Sequence, residues 1–179
     1  MKEDVCAENR TSGARADAWI LSRALGAALR IKGLTISTAE SCTGGLIAHY
    51  MTMVAGSSEY YKGSVVSYCN EVKMNALGVK KSSIAAHTEV SGEVAGEMAE
   101  GVSRLLKTDV AISTTGIAGP TGALPGQPVG TVWIGVHTRH GTTSASHHFD
   151  GDRESVIEQA ARAAMAIAIE AVERMADKE

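Results

Sequence analysis

Four residues in two short runs of this chain could do chemistry. Ser41 and Cys42 stand in Glu40-Ser41-Cys42-Thr43-Gly44-Gly45, and Tyr68 and Lys73 in Ser67-Tyr68-Cys69-Asn70-Glu71-Val72-Lys73. A serine hydroxyl becomes a nucleophile only if a neighbour takes its proton. No Ser/His/Asp set stands out to do so. Cys42 could attack in place of Ser41, although small buried cysteines are more often inert. A lysine accepts a proton only when its ammonium is destabilised. Moving its pKa from about 10.4 to about 7 takes roughly 4–5 kcal/mol of desolvation or like-charge repulsion. Tyr68, between Ser41 and Lys73, could relay the proton or stand as a phenolate beside the ammonium. The plainer alternative is that Tyr68 packs and Lys73 is solvated, as most lysines are.

Two loops concentrate Gly, Ser and Thr: 40–45 and 114–130. Each follows an expected strand, and open α/β sheets collect ligands at the carboxyl ends of their strands. A helix starting near Gly45 would turn free backbone N–H groups toward that edge, where they suit an anion or a developing oxyanion. An ordinary Gly-rich turn accounts for the same letters. Neither loop is a P-loop, a dinucleotide fingerprint or a G-x-S-x-G elbow. His137, His140, His147 and His148 read as a solvated hairpin edge rather than a metal site, because they lack helical or turn spacing. His49 and His87 are isolated.

The elements that must position these groups follow from periodicity. A helix is expected from Asp17, as N-cap, to Lys32, with Ile20, Ala24, Ala27 and Ile31 on one face and Gly33 as its C-terminal cap. Strands are expected over 34–39, 64–69 and 110–114, and a hairpin over 129–138 and 142–149. Helices are expected over 46–54, over 71–77 with Asn70 as cap, over 91–107, and from about Arg153 to the end. The last helix carries two apolar rows, one through Ile157, Ala161, Ala164 and Ala168, the other through Val156, Ala160, Ala163 and Ile167. It should therefore be covered on two sides. Alternating helices and strands argue for one α/β domain with a mixed sheet between helical layers. Residues 1–15, polar and aperiodic, read as a mobile leader before a domain over 16–179.

The chain of 179 residues has the size of one domain, and 27 alanines against 4% aromatics suit closely packed helices and sheets. Its charge of −3, from 17 basic and 20 acidic residues without a basic run, argues against nucleic acid as the main partner. Cys6, Cys42 and Cys69 are odd in number and at no metal spacing; they read as reduced thiols of a cytoplasmic protein. The most apolar stretch, 156–172, carries Glu158, Gln159, Arg162 and Glu170 and is not a membrane span.

In order along the chain, several blocks resemble one known family. Thr38-Ala39-Glu40-Ser41-Cys42-Thr43-Gly44-Gly45-Leu46 resembles the opening motif of the C-terminal domain of the competence-damage-inducible protein CinA, a family that includes stand-alone nicotinamide-nucleotide amidohydrolases. Also similar are 63–73, Thr115-Gly116-Ile117-Ala118-Gly119-Pro120, Pro128-Val129-Gly130-Thr131-Val132, and Phe149-Asp150-Gly151-Asp152-Arg153. The resemblance implies a three-layer α/β/α sandwich that hydrolyses the carboxamide of nicotinamide mononucleotide to the acid and ammonia, salvaging pyridine nucleotide. It implies Ser41 as nucleophile with Tyr68 and Lys73 managing the proton. N–H groups near Thr43, Gly44 and Gly45 would hold the oxyanion, and the 5′-phosphate would lie on Thr115, Gly116 and Gly119 with Arg153. It implies that no metal or organic cofactor is needed. With the broad apolar last helix, it also implies a homo-oligomer. Two positions depart from the pattern: Ser64 stands where the family usually has a second glycine, and Gln127 where it usually has a lysine. The rival expectations are a non-catalytic nucleotide-binding or regulatory module on the same fold, and an amidohydrolase for another small amide.

Overall fold

A computed structural model describes the backbone of residues 2–175 and the side chains of residue 13 and residues 15–175. Most of the expected leader lies outside the described side chains. Helix α1 spans Lys2–Lys32, β1 Ile36–Glu40, α2 Leu46–Thr52, β2 Tyr61–Val66, α3 Asn70–Leu77, α4 Lys81–His87, α5 Gly92–Leu106, β3 Val110–Gly116, β4 Thr131–Thr138, β5 Gly141–His148 and α6 Arg153–Glu173. The sheet runs β2-β1-β3-β4-β5. Strand β1 is flanked in parallel by β2 and β3, while β4 and β5 return antiparallel as the expected hairpin. Among the described residues no helix is long and apolar enough to cross a membrane.

Period-two alternation sorts the two faces. Ile36, Val110, Ile112, Val132 and Ile134 pack with α1, α2 and α6. Ala39 and Ala111 point the other way, against Leu77, Val94, Met98 and Val102 of α3 and α5. The fold is therefore the expected α/β/α sandwich on a mixed sheet. Both rows of α6 are buried or half-buried, because the helix lies between the sheet and α1.

Of the expected caps, Gly33 holds. Gly33 and Gly78 take left-handed φ values of 63° and 73° at helix ends. The Ser91 hydroxyl accepts the N–H of Val94 (3.3 Å) at the start of α5. Three expectations are corrected. Asp17 lies within α1, where its carboxylate accepts from Arg162 of α6 at 3.2 Å. The residue capping α3 is Cys69, with Asn70 its first helical residue. The α1 row Ile20, Ala24, Ala27 and Ile31 faces outward, and the buried row is Ala18, Ser22, Leu25 and Leu29. The helix carries apolar rows on opposite sides. The inner one includes Gly26, whose missing side chain makes room for the Tyr60 phenol. Helix α4, at seven residues, is too short to show a period and was not expected.

Strand β2 ends at Val66, three residues before the expected end. Its partner β1 turns away after Glu40, so the last parallel bond is Ser67 N–H to Glu40 O (2.8 Å). Tyr68 and Cys69 then have no strand to pair with and lead into α3.

Candidate active site

The site begins with a carboxylate. Glu40 is the last residue of β1, fully buried beneath the start of α2. It accepts the N–H groups of Gly45 (3.0 Å), Ile47 (3.1 Å) and Ala48 (2.9 Å). Thr43 Oγ1 (2.8 Å) and, at longer range, Thr38 Oγ1 (3.3 Å) and Ser64 Oγ (3.4 Å) donate to the same group. A buried charge persists only when hydrogen bonds replace its hydration. Here they do so by gathering the donors that a helix N-terminus leaves free. Gly44 and Gly45, at φ 62° and 100°, provide the turn that wraps this carboxylate. Ser64, where a glycine was expected, adds a hydroxyl to the cage.

That arrangement engages two of the expected oxyanion donors, Gly44 and Gly45, within the turn itself. The Gly44 N–H donates to Ser41 O (3.1 Å) and the Gly45 N–H to Glu40, while the Thr43 hydroxyl is shared between Glu40 and Thr114 Oγ1 (2.8 Å). Thr43, Gly44 and Gly45 line a neighbouring cavity of about 620 Å³, with Arg15 and His49, which shares Arg153 with the cavity holding Ser41. An acid at a strand end, followed by Gly-Gly and a helix, was the signal that could have found Glu40's role.

Ser41 sits in the first position after β1, its N–H donating to Thr114 O at 2.9 Å. Lys73, on α3, is 1% exposed. Its Nζ donates to Ser41 Oγ at 2.9 Å and to Ser67 O at 2.8 Å. Burial pulls the Lys73 pKa below the ordinary lysine value, with the charge of Glu89 the largest opposing influence. The solvated alternative for Lys73 is thereby excluded, and the amine reaches the hydroxyl without an intermediary.

Tyr68 is placed differently. It is 63% exposed, because β2 has ended before it. Its hydroxyl accepts from Arg153 Nη2 at 2.8 Å, and Arg153 Nη1 donates to Gly119 O at 2.7 Å. No hydrogen bond joins Tyr68 to Ser41 or Lys73, so the expected relay geometry is absent. Tyr68 and Arg153 instead form a strap at the rim of the cavity.

That cavity, of about 250 Å³, opens onto Ser41, Lys73, Tyr68, Glu89 and Arg153 and onto the loop after β3. The expected substrate residues Thr115, Gly116 and Gly119 all line it. The Thr115 hydroxyl is occupied by Glu89 O (2.7 Å). Gly116 is needed for packing, since a Cβ there would meet the Thr131 carbonyl and Val132 of β4. Gln127 lines neither cavity; its backbone exchanges two bonds of 2.9 Å with Leu124. Cys42 also borders the cavity, but burial pushes its thiol up to about 12, which keeps it protonated and a poor nucleophile.

With this geometry in place, the likeness to known proteins is specific. A sequence profile of the CinA C-terminal domain matches residues 20–172. A CinA-like protein of Salinibacter ruber is 53% identical over 133 residues, 74% of this chain and 32% of that protein. The nicotinamide-nucleotide amidohydrolase PncC of Enterobacter agglomerans is 47% identical over 142 residues, 79% of this chain and 87% of that protein. The chain thus spans about a third of the length of its CinA-like relatives and most of the shorter amidohydrolase. A crystal structure of a CinA superfamily protein from Klebsiella pneumoniae superposes with a TM-score of 0.85 at 36% identity, covering 88% of this chain and 99% of that one.

Proposed function

The chain belongs to the CinA C-terminal domain family, and from that premise we propose that it is a nicotinamide mononucleotide deamidase, releasing ammonia and leaving nicotinic acid mononucleotide. The observation that carries this reading is the buried Lys73 Nζ 2.9 Å from Ser41 Oγ. Support also comes from the relative named a nicotinamide-nucleotide amidohydrolase, which this chain matches over most of its length.

The proposed chemistry is acyl transfer. Neutral Lys73 takes the Ser41 proton while Ser67 O holds one amine hydrogen and fixes the nitrogen. The Oγ–C bond forms, the C–N bond breaks, and the proton on Lys73 leaves with the amide nitrogen as ammonia. Water then attacks the ester, returning the proton to Ser41 and freeing the acid. Positioned general bases supply about 10²- to 10⁴-fold. Arg153, held by Tyr68 and Gly119, presents a guanidinium to the 5′-phosphate. No oxyanion role falls to Gly44 or Gly45 in this scheme.

The test is ammonia release from nicotinamide mononucleotide by the purified protein, with free nicotinamide as comparison. Rapid release from the nucleotide, reduced about 10⁵-fold in Ser41→Ala at unchanged melting temperature, is expected. Binding of the nucleotide without ammonia would select the non-catalytic module. Undiminished release by Ser41→Ala would remove Ser41 as nucleophile.

A further inference from the structure

The Ser41 cavity contains one carboxylate, and the chemistry above gives it no task. Glu89 lies between α4 and α5, half-buried, on the cavity wall. Its position is fixed on both sides. Thr115 Oγ1 donates to its carbonyl oxygen at 2.7 Å. The preceding Thr88 adopts φ 67° and ψ 170°, a strained conformation for a non-glycine residue. Ser91 Oγ, donating to Thr88 O at 3.0 Å, helps to hold it there. Among the described residues the Glu89 carboxylate makes no hydrogen bond or ion pair. Lys73 Nζ, the nearest base in function, is committed to Ser41 and Ser67.

We infer that Glu89 is a specificity-determining residue that faces the ring of the substrate and selects a positively charged, N-substituted pyridinium over a neutral aromatic amide. The inference rests on the deamidase reading for the orientation of the substrate, carboxamide toward Ser41. With Lys73 neutral, as its role requires, the charged groups on the cavity wall are Glu89 and Arg153. A nucleotide of a carboxamide pyridinium is itself a zwitterion, cationic at the ring and anionic at the phosphate. One carboxylate and one guanidinium match that pair of charges. A neutral amide leaves Glu89 without a counter-ion and leaves its field acting on Lys73, which holds the proton on the amine. A cationic ring cancels that field. The same carboxylate therefore favours binding of the cation and frees Lys73 to act as base once the cation is bound.

The experiment compares nicotinamide mononucleotide with benzamide riboside 5′-monophosphate, in which a neutral benzene ring replaces the pyridinium. Wild type, Glu89→Gln and Glu89→Asp are assayed for ammonia, and the ratio of kcat/KM for the cationic over the neutral substrate is read for each. An opposite charge a few ångströms away at intermediate dielectric is worth about tenfold or more. The ratio is expected to fall by about tenfold in Glu89→Gln and to stay within about threefold in Glu89→Asp. Calorimetric Kd values for both ligands, measured in Ser41→Ala and in Ser41→Ala with Glu89→Gln, should show the same loss of discrimination without turnover. An unchanged ratio in an active Glu89→Gln enzyme overturns the role of Glu89 and leaves the deamidase intact. If wild type releases ammonia from neither compound, the deamidase reading falls, and the Kd ratios alone decide. Equal discrimination with and without the carboxylate then overturns the inference, and its loss in Glu89→Gln upholds it.

Discussion

Two ionisable groups are buried around Ser41, and their surroundings are opposite. Glu40 is saturated: three backbone N–H groups and three hydroxyls point at its two oxygens. Lys73 has two partners, and one of them is the hydroxyl it would activate. Saturation makes a buried carboxylate a fastener, since any movement of it would break several bonds at once. Undersaturation makes a buried charge reactive, since desolvation opposes the ammonium and the opposing charge of Glu89 does not outweigh it. The two groups also divide the labour of the turn they share. Glu40 shapes the 41–45 backbone that presents Ser41, and Lys73 hydrogen-bonds its side chain.

The comparison is broken most forcefully at Lys73. Lys73→Ala should lower kcat/KM for ammonia release by about 10⁴-fold, the upper range for a general base. Because only the free amine accepts a proton, wild-type activity should rise with pH through a limb lying below the ordinary lysine value of 10.5. That limb should vanish in the variant. The linkage has a matching sign. The unfolded lysine keeps its proton up to 10.5 while the folded one sheds it earlier, so the burial penalty is fully present at low pH. Stability should therefore gain as pH rises between the folded and unfolded values, and Lys73→Met should remove that gain.

Glu40→Ala comes next. It leaves the N–H groups of Gly45, Ile47 and Ala48 without an acceptor in the interior. Unfolding by denaturant should show a loss of about 3 kcal/mol or more, with activity falling as Ser41 loses its support. A stable Glu40→Ala protein that is merely slow would mean the carboxylate is chemical rather than structural, and the contrast with Lys73 would fail.

The smallest effect is expected at Tyr68. Its exposed bond to Arg153 is of the kind that contributes about 1 kcal/mol, so Tyr68→Phe should raise KM less than about tenfold and leave kcat nearly unchanged. A fall in kcat beyond about 10³-fold would instead place the phenol in the proton path during turnover.

Much of this was legible beforehand. The order of the strands and of the longer helices, the hairpin, the cap at Gly33 and the two-sided burial of α6 all follow from local patterns acting within a turn or two. Errors arose where two local solutions were equally good. Helix α1 carries apolar rows on both sides, and only the sheet and α6 choose which one is buried. The end of β2 was misplaced because a strand stops when its neighbour leaves, and no residue in 64–69 records where β1 turns.

At the site, residue types alone offered Ser41 and Cys42 as nucleophiles and left Tyr68 and Lys73 open, and the family resemblance added Arg153. Their wiring was decided by the tertiary structure. The strand order β2-β1-β3 brings α3 against the end of β1, so Lys73 meets Ser41 directly and Tyr68 meets Arg153, 85 residues away, in its place. The same placement turns the Gly44-Gly45 turn inward onto Glu40. The physical reason is range. Backbone propensity and hydrophobic period act over a few residues, whereas desolvation and hydrogen-bond pairing depend on groups that only packing brings together.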